Sequence, residues 1–165
     1  MRYKQYDREK ALLYAKRWAL DRNPKYYNFD PVGGDCTSFA SQVIYAGSRE
    51  MNYGLNGWYY RNGNDKSPSW SGVEYLYKFL VNNSGVGPFG KEVDIEEIEK
   101  GDIIQLSFEG IKYHHTLVIT DIINNLKTYS NILITAHTDD SYNRRISTYT
   151  FNKIRFIKID GVRYY

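Results

Sequence analysis

Three stretches in the first half of the chain repeat apolar residues at helical spacing, and the second half switches to alternation. In the first stretch Ala11, Leu12, Ala15, Trp18 and Ala19 share a face. Asp7 stands where an N-cap belongs and Asn23-Pro24 breaks the run, which predicts a helix to about Leu20. The second predicted helix runs from Cys36 to Ala46, with Asp35 as cap, Gly47 as stop, and Cys36, Phe39, Ala40, Val43 and Gly47 on one face. A third covers about 72–81, with a Ser71–Glu74 capping box and a stripe of Val73, Leu76, Tyr77 and Leu80. Residues 24–34 read as a loop closed by Gly33-Gly34, and 48–70 as a long irregular excursion rich in Gly, Asn and Ser. From residue 100 the spacing predicts strands at 102–108, 113–123, 132–137 and 154–159, with a further one around 146–151. Glu109-Gly110 and Asn124-Asn125 supply turns. Helices followed by an antiparallel sheet predict an α+β fold, and 165 residues suit one domain, 1–165, with a core that needs no staples.

Composition narrows the function classes. A net charge of +3 with scattered basic residues gives no reason to expect nucleic acid. No apolar run approaches the roughly 20 residues that span a bilayer. The first residues do not resemble a signal peptide, so the expectation is a cytoplasmic protein or a domain cut from a longer exported precursor. The single cysteine excludes an intrachain disulfide. Seventeen tyrosines read either as a broad polar-aromatic cleft for peptide or sugar or, the favoured reading, as a compositional bias that also favours Asn, Ile and Lys, with Tyr at half-buried sites. No cofactor is expected, and a monomer is.

Candidate chemistry centres on Cys36. A thiol at a helix N-terminus meets unpaired N–H groups and the positive end of the dipole, which favour thiolate, while the neighbouring Asp35 opposes it. The histidines are His114, His115 and His137. Strand alternation puts His114 and His115 on opposite faces and does not by itself choose between them. His137 ends the strand expected to pair with theirs, and strands about 5 Å apart let one histidine from each touch. That geometry would supply a base and a group that orients it. A zinc site is disfavoured, because no CxxC, HxxxH or HExxH spacing occurs. Trp58, Tyr59, Tyr60 and Trp70 either wall a cleft or pack the long loop against the sheet.

Asp35-Cys36-Thr37-Ser38-Phe39-Ala40-Ser41-Gln42 resembles the Asp-Cys-Ser/Thr-x-Phe-x-x-Gln signature of NlpC-type peptidases, within the papain-like cysteine peptidase superfamily. Lys100-Gly101-Asp102 is similar to their Pro-Gly-Asp strand start, with Lys for Pro, and His115-Thr116-Leu117-Val118-Ile119 to their histidine strand, with Leu117 in place of a cleft-shaping glycine. A closer resemblance is to the putative amidase domain of Gram-positive bacteria. It is carried by Tyr6-Asp7-Arg8-Glu9-Lys10-Ala11, Asp35-Cys36-Thr37-Ser38-Phe39, the tryptophan-containing loop and His137-Thr138-Asp139. The resemblance implies a papain-like fold and hydrolysis of a peptide or muropeptide amide. It implies Cys36 as nucleophile, His115 as base and acid, and His137 as orienting group. Asp35, Ser38, Trp58 and Asp139 are the substrate contacts it suggests, Asp35 also reading as a cap and Asp139 as a solvated turn residue. Acyl transfer on the same fold, or a catalytically silent peptide- or glycan-binding module, are the alternatives.

Overall fold

The computed structural model describes all 165 residues. Its elements are β1 (Arg2–Lys4), α1 (Arg8–Trp18), α2 (Cys36–Ser48), β2 (Tyr60–Asn62), β3 (Asp65–Lys66), α3 (Pro68–Ser71), α4 (Val73–Asn82), β4 (Gly87–Val93), β5 (Ile103–Ser107), β6 (His115–Ile122), β7 (Ile132–Ala136), β8 (Ser141–Arg145) and β9 (Lys153–Tyr164). The arrangement is α+β with antiparallel pairing throughout the main sheet, in the order β1-β9-β5-β6-β7-β8. The long β9 also carries β4, and β2–β3 form a separate small hairpin.

Alternation along the strands sorts the apolar residues onto two faces. Ile103, Val118, Ile157 and Ile159 face the helices and join Phe39, Val43, Ile44, Trp58, Trp70 and Leu76 in one core cluster. Ile104, Leu117, Ile119, Ile134 and Phe156 point the other way into a second cluster closed by Ile98 and Ile146. The helix-covered face therefore carries the larger core, and α2 lies across β6 within it.

The predicted helices are present with shifted ends. Asp7 caps α1 as expected, its carboxylate accepting from the Lys10 N–H at 3.0 Å. Gly47 does not stop α2. It sits inside the helix, which runs on to Ser48 and ends at Arg49 with φ of 58°. A Cβ at Gly47 would lie 2.5 Å from the Tyr6 ring and 2.7 Å from the Asp7 carbonyl oxygen, so this glycine permits the start of α1 to press on α2. The Ser71–Glu74 capping box does not form either: Gly72 takes the N-cap place, and Glu74 pairs with Arg155 instead.

Two elements differ more. The strand expected at 146–151 is a 3₁₀ turn at Ile146–Thr148, because Ile146 drops into the second cluster with Phe151 packed beside it, while the strand forms earlier as β8. No element is predicted at β4, which falls in a stretch punctuated by Gly and Pro. It forms because an edge strand tolerates Pro88, and Gly90 lets the β9 backbone at Lys158 approach closely. The excursion at 48–70 is packed rather than open. Trp58 and Trp70 are fully buried in the main core, with ring centroids 5.0 Å apart.

Conserving the register of the start of the sheet falls to a separate lock. Asp102 is fully buried, accepting from Arg8 at 2.8 Å and from the Ile159 and Glu99 N–H groups at 2.9 and 2.8 Å. Tyr6 donates to the Gly101 carbonyl at 3.1 Å. The Tyr6-Asp7-Arg8 and Gly101-Asp102 motifs thus meet in space and tie α1 to β5 and β9. No helix is long and apolar enough to cross a membrane.

Candidate active site

Cys36 is the first residue of α2, so its backbone N–H has no partner within the helix. Gly33 and Gly34, at φ of 90° and 106°, turn the chain sharply into that helix. Cys36 is 7% exposed. Its Sγ lies 3.7 Å from the Thr37 Oγ1 and against the Thr116 backbone N–H at the start of β6. Burial pushes the thiol above its ordinary pKa; the Thr116 and Thr37 hydrogen bonds pull it down by less, and Asp35 adds to the rise. The helix terminus therefore does not make this cysteine a resting thiolate.

A buried polar chain continues from the thiol. Thr37 Oγ1 and Thr116 Oγ1 share a hydrogen bond of 2.8 Å, and Gln105 Nε2 donates to Thr116 Oγ1 at 3.3 Å. Gln105 Oε1 then accepts from Arg155 Nε and Nη2, at 2.9 and 2.6 Å. Arg155, Gln105 and Thr116 are register partners across β9, β5 and β6.

The three histidines have different surroundings. His114 is 39% exposed and 3.2 Å from Glu109. His115 is 6% exposed and lies near the rings of Phe108 and Tyr149, with centroids 6.4 and 5.8 Å away. Burial, and then the nearby Arg144, lower its pKa to about 4, with Asp139 working in the opposite direction. At neutral pH it is uncharged and no side-chain hydrogen bond engages it. Cys36 and His115 thus stand as neutral thiol and neutral imidazole, with no hydrogen bond joining them in this conformation.

His137 does not orient His115. Val118 pairs with Thr135 in the β6–β7 register, which continues to put Thr116 opposite His137 and turns His115 to the other face. The His137 ring lies over Phe39 of α2, centroids 4.0 Å apart and planes 24° from parallel. Its Nδ1 is 2.6 Å from Asp35 Oδ2 and its Nε2 is 2.7 Å from the Trp18 carbonyl oxygen. Both partners are oxygens, so each ring nitrogen has a hydrogen-bond partner in place.

Asp35 is 1% exposed and does not cap α2. Its Oδ1 accepts from the Phe29 N–H at 2.9 Å, its Oδ2 faces His137, and Arg22 Nε stands 3.7 Å away. Arg22 also holds Asp30 and Asp140, and the Asp35 N–H donates to Thr138 Oγ1 at 3.2 Å. A substrate amino group has no open oxygen to reach here. Ser38 is fully buried, accepting from Gln42 Nε2, and Gln42 in turn accepts from Tyr14 of α1. Trp58, expected at a cleft wall, is core, its Nε1 donating to Ser41 Oγ at 3.0 Å. Of the four suggested contacts Asp139 alone is open, with an 88% exposed side chain beside Arg144.

Arg22, Thr37, Thr116 and the Trp18 carbonyl were not singled out by sequence reasoning. Thr116 alone carries a signal, being the neighbour of His115 on the helix-facing side of an alternating strand. No group of three His, Cys, Asp or Glu side chains comes together in an arrangement suited to a metal.

An uncharacterised protein of Bacillus subtilis (strain 168), YhbB, is 35% identical over 143 residues, which is 83% of this chain and 43% of that protein. The chain thus spans less than half the length of this relative. No solved structure matches. The family model described as "Putative amidase domain" matches residues 5–159, nearly the whole chain from the Tyr6 lock to β9, and the chain belongs to that family.

Proposed function

We propose that the chain is a cysteine-dependent amidase or peptidase of NlpC-type, papain-like architecture, with Cys36 as nucleophile and His115 as base. The observation that carries the reading is the seating of Cys36. A lone cysteine opens a helix, against the Thr116 N–H of the strand that His115 begins. Membership in an amidase family supports the reaction class.

With a neutral thiol and a neutral imidazole, the first step is general-base attack rather than reaction of a preformed ion pair. His115 begins β6 on the face opposite Thr116 and the thiol, so the scheme requires the start of that strand to turn as substrate enters; His115 then takes the thiol proton as sulfur adds to the amide carbonyl. The Cys36 N–H, free at the helix start, is the donor for the developing oxyanion. Imidazolium then protonates the leaving amine as the C–N bond breaks. Water, deprotonated by the same ring, releases the acid from the thioester. In this scheme His137 is a positioning residue: through Asp35 it fixes the residue before the nucleophile. Peptides, including muropeptides, are the substrate class proposed.

One observation favours a second reading, a catalytically silent binding module. Cys36 and His115 are 7% and 6% exposed and face opposite sides of the sheet, so no reactive pair is assembled in this conformation. Incubation of wild type and Cys36→Ala with muropeptides and simpler acyl amides, followed by mass spectrometry of the products, separates the two. Cleavage by wild type alone supports the enzyme; binding without cleavage by either supports the module.

A further inference from the structure

We propose that the cavity between α4 and the turn joining β5 to β6 is a carboxylate-binding subsite anchored by Arg155. The cavity has a volume of about 510 Å³. Three cations line it, Lys78, Lys112 and Arg155, against one carboxylate, Glu74. Ile111 and Tyr113 add apolar and aromatic wall for the organic body of a ligand.

Arg155 has the construction of a binding group rather than a surface charge. It is 8% exposed, and its guanidinium is held between two rings, 3.6 Å from the Tyr77 centroid and 3.9 Å from that of Tyr113. Nε and Nη2 are taken by Gln105 Oε1, and Nη2 also by Glu74 Oε2 at 2.9 Å. Nη1 is the one nitrogen left without a partner. Stacking on both faces keeps the fork from swinging, so this N–H is presented at little entropic cost. A second carboxylate, Glu92, is nearby but spends itself on the Tyr77 hydroxyl at 2.8 Å and does not line the cavity. Glu74 leaves the lining with a net charge of +2, and it is the apolar and aromatic wall of Ile111 and Tyr113 that matches an organic acid rather than inorganic phosphate.

The subsite deepens the amidase reading and rests on it for the identity of the ligand as substrate. Arg155 and Thr116 are separated by one strand, so their backbones lie roughly 10 Å apart. Thr116 is the residue whose N–H meets the thiol. About three extended residues cover that span. Gln105 and Thr116 fill the direct path, so a substrate reaching both would run over the surface, and the favoured ligand is a short peptide with a free C-terminal carboxylate.

Binding is measured on Cys36→Ala protein with acetyl-Ala-Ala-Ala and with the same peptide carrying a C-terminal amide, by titration and by NMR. The acid is expected to bind about tenfold more tightly than the amide and to move the Arg155 Nε–H and Tyr113 signals. The Lys78→Ala/Lys112→Ala variant, altered at exposed positions, is expected to keep its Tm and lose several-fold in affinity for the acid alone. Inorganic phosphate at equal concentration is expected not to displace the peptide. Equal binding of acid and amide, unmoved Arg155 and Tyr113 signals, or displacement by phosphate would each overturn the subsite. Because none of these readings needs turnover, an inactive wild type that still prefers the acid rejects the cysteine mechanism and leaves the subsite standing. An active enzyme indifferent to the carboxylate does the reverse.

Discussion

Two buried histidines at neighbouring strand ends differ in one respect that separates scaffold from chemistry. His137 is 1% exposed and both its nitrogens are satisfied; His115 is 6% exposed and neither is. The His115 ring is mostly buried while its nitrogens keep contact with solvent, so desolvation of the charged form, not a lost hydrogen bond, is what lowers its pKa. The contrast teaches that the satisfied histidine ties the end of β7 to the start of α2 through Asp35, and that the other is held neutral with its nitrogens uncommitted.

The largest expected effect tests the satisfied side. His137→Ala leaves Asp35 as a buried charge with only Arg22 nearby, at 3.7 Å, which is expected to cost about 3 kcal/mol. For a chain of this size that lowers Tm by roughly 10 °C, readable by calorimetry. If the melting temperature barely moves, the Asp35–His137 pair is not the anchor described.

The unsatisfied side has a pH signature of similar size. The folded pKa of His115 is about 4 against an ordinary 6.5. Between those values the unfolded chain binds the proton first, so stability is lost as pH falls from 6.5 toward 4 and is indifferent to this group above that window. Denaturant titrations of wild type and His115→Gln are expected to differ by about 3 kcal/mol in how much stability they lose across it. Parallel curves would mean that His115 is not buried uncharged.

These contrasts also show what could be read from the chain beforehand. The start of α2 was legible because Gly33-Gly34, a polar residue and a helical stripe coincide there, and the central strands because Ile103–Leu106 and Leu117–Ile119 carry the sheet's alternation. What escaped was set by contacts distant in sequence. Asp35 looks like a cap locally, and only the return of β7 brings His137, 102 residues on, to claim its carboxylate. Gly47 looks like a helix stop until Tyr6 is laid against it. Trp58 lies in a Gly- and Asn-rich stretch whose loop character hides that its ring fills the core. The pairing of His115 with His137 failed on register, since a one-residue difference reverses the face of a strand side chain.

Smaller effects sharpen the account at its edges. Asp7→Ala removes the α1 cap and is expected to cost about 1 kcal/mol in denaturant unfolding, since no other group replaces its bond to Lys10. Asp139→Asn, at a side chain 88% exposed, is expected to leave stability unchanged within about 0.5 kcal/mol. Its effect should fall instead on His115, whose pKa Asp139 now raises, so an NMR titration of the ring is expected to shift further toward acid.

The nucleophile itself is tested most directly by acid-quenching the protein during reaction with a peptide amide and weighing the intact chain. The account predicts an acyl adduct that maps to Cys36, absent from Cys36→Ala, with product formation lost in that variant and its Tm nearly unchanged. Undiminished amide cleavage by Cys36→Ala would contradict it.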